Sequence, residues 1–107
     1  MPKYLIQASY TAEGLQGVIK DTASGRKAAV QKAAKSLGGK VESLYFTFGK
    51  DDVVVIVDLP GNTAAATISL AAGSSGLVHL RTTPLLTVEE VDEAIGMKSK
   101  YRAPGTE

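Results

Sequence analysis

Lys40-Val41-Glu42-Ser43-Leu44-Tyr45-Phe46-Thr47-Phe48 runs into Gly49-Lys50-Asp51-Asp52 and then into Val53-Val54-Val55-Ile56-Val57. Two apolar runs rich in β-branched and aromatic residues flank four polar turn formers. Glycine supplies a positive φ and aspartate hydrogen-bonds nearby backbone, so the stretch predicts a β-hairpin. A strand-plus-helix segment lies on each side of it.

Upstream, Lys3 to Tyr10 reads as a strand flanked by Pro2 and Thr11. Thr11 is a good N-cap, and Leu15, Val18 and Ile19 follow at helical spacing. Asp21-Thr22-Ala23-Ser24 interrupts that helix. Ser24 is the expected cap of a second stretch, where Val30, Ala33, Ala34 and Leu37 form an apolar face ended by Gly38-Gly39.

Downstream, Pro60-Gly61-Asn62 is a turn, and Asn62 or Thr63 is the expected start of a helix whose alanine-rich body runs from Ala64 to Ala72. Leu77 to Thr83 reads as a fourth strand closed by Pro84. Thr87 and Glu90 then form a capping-box pair, with Leu86 and Val91 at staple positions. Val88, Val91, Ala94 and Ile95 give this last helix its apolar face.

The order is strand-helix-strand, strand-helix-strand, helix. Crossovers between parallel strands are right-handed, so two units joined by a hairpin predict an α+β, ferredoxin-like βαββαβ fold with a C-terminal helix. Its four-stranded antiparallel sheet carries helices on one face. Residues 1–96 form the expected domain, and 97–107 a basic tail.

Composition narrows the function classes. Twelve basic and eleven acidic side chains leave a formal charge of +1 in 107 residues. That balance argues against a nucleic-acid or membrane-surface binder. The absence of cysteine excludes disulfides and sulfur-ligated metals. With one histidine, no metal or other cofactor is expected. With the first strand expected to begin at Lys3, no secretory signal is expected, and no apolar run approaches the roughly 20 residues of a membrane span. The expected location is the cytoplasm.

Alternation sorts each strand into two faces. One face is apolar. The other mixes Leu5, Tyr45, Val54, Ile56 and Leu77 with Gln7, Ser9, His79 and Arg81. Such a patch marks an interface, so a homodimer or higher homo-oligomer through this face is expected, the alternative being a monomer whose C-terminal helix folds over it.

His79, Arg81, Gln7, Ser9 and Tyr45 are the candidate site residues. Histidine is the one side chain type whose charge ordinarily changes near neutral pH, and His79 shares a face with Arg81. Gln7 and Ser9 lie on the strand expected to pair with theirs. Together they would offer a base, a cation and polar groups for a small ligand, or, with His79, Arg81 and Tyr45 catalytic, a site for a small enolisable or aromatic substrate. Asp51-Asp52 reads as turn chemistry. Glu89, Glu90, Asp92 and Glu93 are explained by the helix dipole and capping. Arg26, Lys27, Lys32 and Lys35 read as a solvated basic face, and the tail around Lys98 to Arg102 is a candidate assembly arm.

Several segments resemble the GYD domain family: Lys3-Tyr4-Leu5-Ile6, Tyr10-Thr11-Ala12-Glu13-Gly14-Leu15, Gly25-Arg26, Leu37-Gly38-Gly39-Lys40, Phe48-Gly49-Lys50-Asp51-Asp52-Val53-Val54 and Arg81-Thr82-Thr83-Pro84-Leu85-Leu86-Thr87. The resemblance covers about residues 3 to 95. At the glycine-tyrosine-aspartate signature, Asp51 stands where tyrosine is expected. The resemblance implies a dimeric α+β barrel and no established reaction. It is compatible with a module that binds a small ligand or a protein partner. The alternative is a cofactor-independent enzyme of the monooxygenase or isomerase kind, by analogy of architecture.

Overall fold

The structure, a computed structural model, describes residues 1–106. Its order is β1 (Lys3–Tyr10), α1 (Ala12–Ser36), β2 (Lys40–Phe46), β3 (Val53–Asp58), α2 (Asn62–Gly73), β4 (Val78–Leu85) and α3 (Val88–Gly96). The strands form one antiparallel sheet in the order β2-β3-β1-β4. This is the expected ferredoxin-like arrangement.

The core lies between the sheet and the first two helices. Tyr4, Ile6 and Ala8 of β1 and Val53, Val55 and Val57 of β3 are buried there, with Leu59 just beyond. Ala34 and Ala65 bring the two helices down onto this layer. Tyr4 donates its hydroxyl hydrogen to Asn62 Oδ1 at 2.6 Å, and Ser69 and Thr82 hydroxyls meet at 2.8 Å. These bonds pin α2 over β1 and β4.

Several boundaries differ from the sequence reading, each for a local reason. The two helical stretches before residue 37 form one kinked element. Thr22, at φ 68° and ψ 164°, breaks the helical path, and its Oγ1 accepts from the Gly25 N–H at 3.2 Å. Thr22 therefore caps the second stretch in place of Ser24. Strand β2 stops at Phe46, because Thr47 turns to close the loop on Asp52. Helix α2 starts at Asn62, one of the two expected starts. Strand β4 passes through Pro84 to Leu85. It pairs only with β1, and an edge strand tolerates proline.

The expected end of α1 is present in full. Gly38 has φ 80°, its N–H reaches Lys35 O at 3.0 Å, and the Gly39 N–H reaches Ala34 O at 2.9 Å. These are the two bonds of a Schellman motif. The capping box is also present, with Glu90 N–H to Thr87 Oγ1 and Thr87 N–H to Glu90 Oε1 both at 3.0 Å.

Helix α3 buries none of its residues. Val88, Val91 and Ile95 are exposed, as are Leu86 and Met97 beside them. The chain measures 59 × 31 × 23 Å, with a radius of gyration of 17.1 Å. A compact domain of this length has a radius near 13 Å. Its accessible surface, 7735 Å², is about 2,000 Å² more than a compact monomer of 11.1 kDa exposes.

Candidate functional site

The register fixes what shares the open sheet face. Across the sheet run Tyr45, Val54, Gln7 and Arg81 in one row, and Ser43, Ile56, Leu5 and Thr83 in the next. Ser9 pairs with His79 one row further on. All five candidate residues thus lie on this face. It has an apolar centre of Leu5, Val54, Ile56 and Tyr45, with charged groups at both ends. Tyr45 is 70% exposed, and α3 does not fold over the patch.

At one end, Lys3 Nζ reaches Asp58 Oδ1 at 2.8 Å and Glu42 Oε1 at 2.7 Å. The hydrogen bond to Asp58, then that to Glu42, raises the Lys3 pKa above its ordinary 10.5. A raised lysine pKa adds stability that is fully present below 10.5 and is lost as pH rises through the folded-state value. Wild type is therefore expected to lose more stability than Lys3→Gln between about pH 10 and pH 12. Denaturant titrations across that window check this; parallel losses in the two chains refute it.

At the other end, the β2–β3 turn does more than reverse the chain. Asp51 Oδ2 accepts from Arg81 Nη2 at 2.9 Å, and Asp51 Oδ1 lies 3.4 Å from Ser9 Oγ, which also donates to Lys50 O at 3.1 Å. Asp52 Oδ2 accepts the Tyr10 N–H at 2.8 Å. The turn therefore clamps the C-terminal end of β1 and reaches across to β4. Sequence reasoning treated Asp51-Asp52 as local turn chemistry. The missed signal is the second aspartate, which a simple turn does not need. Asp52→Ala is expected to cost about 1–3 kcal/mol, because it strips a charge-assisted bond from a partly buried N–H. Urea unfolding measures it, and a change under 0.5 kcal/mol would show that water replaces the carboxylate equally well.

These contacts alter the chemistry available to the candidates. Arg81 is already neutralised by Asp51, so an anion at that position must compete with a carboxylate. His79 is exposed and makes no side-chain hydrogen bond among the described residues. A general base is normally held by an orienting partner, and none is in place within one chain.

A second candidate lies on the opposite side of the sheet. Helices α1 and α2 stand apart and leave an apolar cleft of about 410 Å³. Its floor is Ile6 and Val55. Val30 and Ala33 of α1 form one wall, and Ile68 and Ala71 of α2 form the other. Arg26 also lines it, paired with Asp21 at 3.7 Å. Part of the basic face read as solvated therefore borders an apolar hollow. The sequence showed the small residues but not the gap, which depends on how far apart the helices settle.

Among the described residues, no group of three or more histidines, cysteines or carboxylates is placed to hold a metal ion. No described helix is long and apolar enough to cross a membrane. The architecture defines the class, an α+β protein with a ferredoxin-like antiparallel sheet. Within that class, the GYD domain model matches residues 4–95, and the chain belongs to the GYD domain family. No curated protein and no solved structure matches it.

Proposed function

We propose that this chain is a non-catalytic, self-associating binding module. Its open sheet face covers the same face of a second copy, and its α1–α2 cleft takes an occupant with an apolar body and an anionic group. The observation that carries the association is the open sheet face itself, where Leu5, Val54 and Ile56 are only half-buried and Tyr45 is exposed. The chain also exposes about 2,000 Å² more than a compact monomer, part of it from the exposed residues 97–106, where a standard interface covers about 800 Å² per partner. The sheet face has the anatomy of an interface, with apolar residues at the centre and ion pairs at the rim. For the cleft, the support is its volume, which falls within the range of small-molecule sites, and a single lining cation amid apolar side chains.

Sedimentation at low micromolar concentration tests the association. The expected mass is a dimer or a multiple of it. Tyr45→Glu, at an exposed position, is expected to weaken association by about tenfold while leaving the far-ultraviolet dichroism unchanged. A monomer across the whole concentration range overturns the reading.

A further inference from the structure

Helix α3 and the α1–α2 cleft have opposite needs. Helix α3 is amphipathic, with Val88, Val91 and Ile95 on one stripe and no described neighbour burying them. A nine-residue helix about 13 Å long does not hold its shape alone in water. It carries Glu89, Glu90, Asp92 and Glu93 and no basic residue. The second stretch of α1, beyond Thr22, carries Arg26, Lys27, Lys32 and Lys35 and no acidic residue. Arg26 lines the cleft. Lys32 lies one turn from Ala29 and Ser36, which also line it. Among the described residues, Lys27, Lys32 and Lys35 have no ion-pair partner.

We infer that α3 of one copy docks in the α1–α2 cleft of another. Its apolar stripe enters between Ala33 and Ala71, whose small side chains let a third helix approach closely. Its acidic flank faces Arg26 and Lys32. The chain's own α3 is badly placed for this. Only Leu86 and Thr87 separate it from β4, a span of about 7 Å, while α2, packed on β4 through the Ser69–Thr82 bond, lies between β4 and the cleft and is about 10 Å across. The inference rests on the binding reading of the cleft and names its occupant.

The absence of native cysteine permits a direct test on the full chain. Two chains, one with Ala71→Cys and one with Ile95→Cys, are mixed and joined with a short bismaleimide. The expected product is a covalent heterodimer, formed about tenfold faster than from the pair His79→Cys and Ile95→Cys. Asp92→Lys in the Ile95→Cys chain is expected to slow it severalfold, and Lys32→Glu in the other chain to restore it. Preferential joining to the His79→Cys chain would place α3 on the open sheet face. Joining within a single dilute chain carrying both Ala71→Cys and Ile95→Cys would make α3 an internal lid. Either outcome overturns the inference. The cleft reading is scored separately with anilinonaphthalene sulfonate, an apolar anion. Binding that Arg26→Ala weakens, without cross-linking, keeps the cleft and removes α3 from it. Loss of both signals removes both readings.

Discussion

Leu59→Ala is expected to cost about 3–5 kcal/mol, near the top of the range for leucine truncation. Leu59 has no solvent exposure, and with Val57 it is one of the two largest side chains wholly inside the chain. The cost is high because the site cannot collapse. Leu59 sits against Gly39, which has no side chain to move into a void, and its own N–H is tied to Pro2 O at 3.1 Å. The rest of the core is thin. Of the nine buried apolar residues among those described, three are alanine. A domain of this size holds 5–15 kcal/mol in total, so the substitution is expected to lower the melting temperature by well over 10 °C. Calorimetry checks it at fixed protein concentration, because self-association makes the midpoint concentration-dependent. A loss below 1 kcal/mol would mean that neighbouring side chains fill the void after all.

The fold was legible because its signals are local. The imperfect alternation of β1, the continuous apolar run of β3, the glycine pair after Leu37 and the capping box at Thr87 each depend on a few adjacent residues, and the structure contains the elements they predict. The misplaced boundaries had nearby competitors. Thr22 and Ser24 are both capable caps, and backbone geometry chose Thr22. Pro84 stops a central strand but not an edge strand, and only the strand order shows which one it occupies. The candidate site was half legible. Period-two alternation placed Gln7, Ser9, Tyr45, His79 and Arg81 on one face, and the register aligns them. The Asp51–Arg81 pair was not legible. It joins residues thirty positions apart through a turn whose reach no periodicity encodes. The cleft and the bare α3 were likewise invisible, because a helix pattern reports which face is apolar and not what meets it.

Gly14→Ala is expected to destabilise the fold by about 2–4 kcal/mol, although alanine is the better helix former by nearly 1 kcal/mol. The sign is decided by close approach. A Cβ at Gly14 would fall inside contact distance of the Leu77 carbonyl oxygen and close to Tyr10 Cβ. That carbonyl also accepts the Thr11 N–H at 3.0 Å and lies 3.3 Å from the Thr11 hydroxyl, while Thr11 Oγ1 caps the Gly14 N–H at 3.1 Å. Four groups thus share one junction, where α1 begins and the chain enters β4. The methyl group cannot be relieved by a rotamer change, because its obstacle is backbone. Either α1 retreats and Thr11 loses its bonds, or Leu77 moves and the edge strand β4 shifts against β1. Both routes act on the strand that carries His79 and Arg81, so the lesion reaches the open face. Gly17→Ala is the internal control. It lies in the same helix with nothing within 4 Å of its added methyl, and it is expected to be neutral or to stabilise by up to about 1 kcal/mol. Urea unfolding of the two variants side by side separates close packing from helix propensity. Equal effects at both positions would show that the close approach at Leu77 carries no cost.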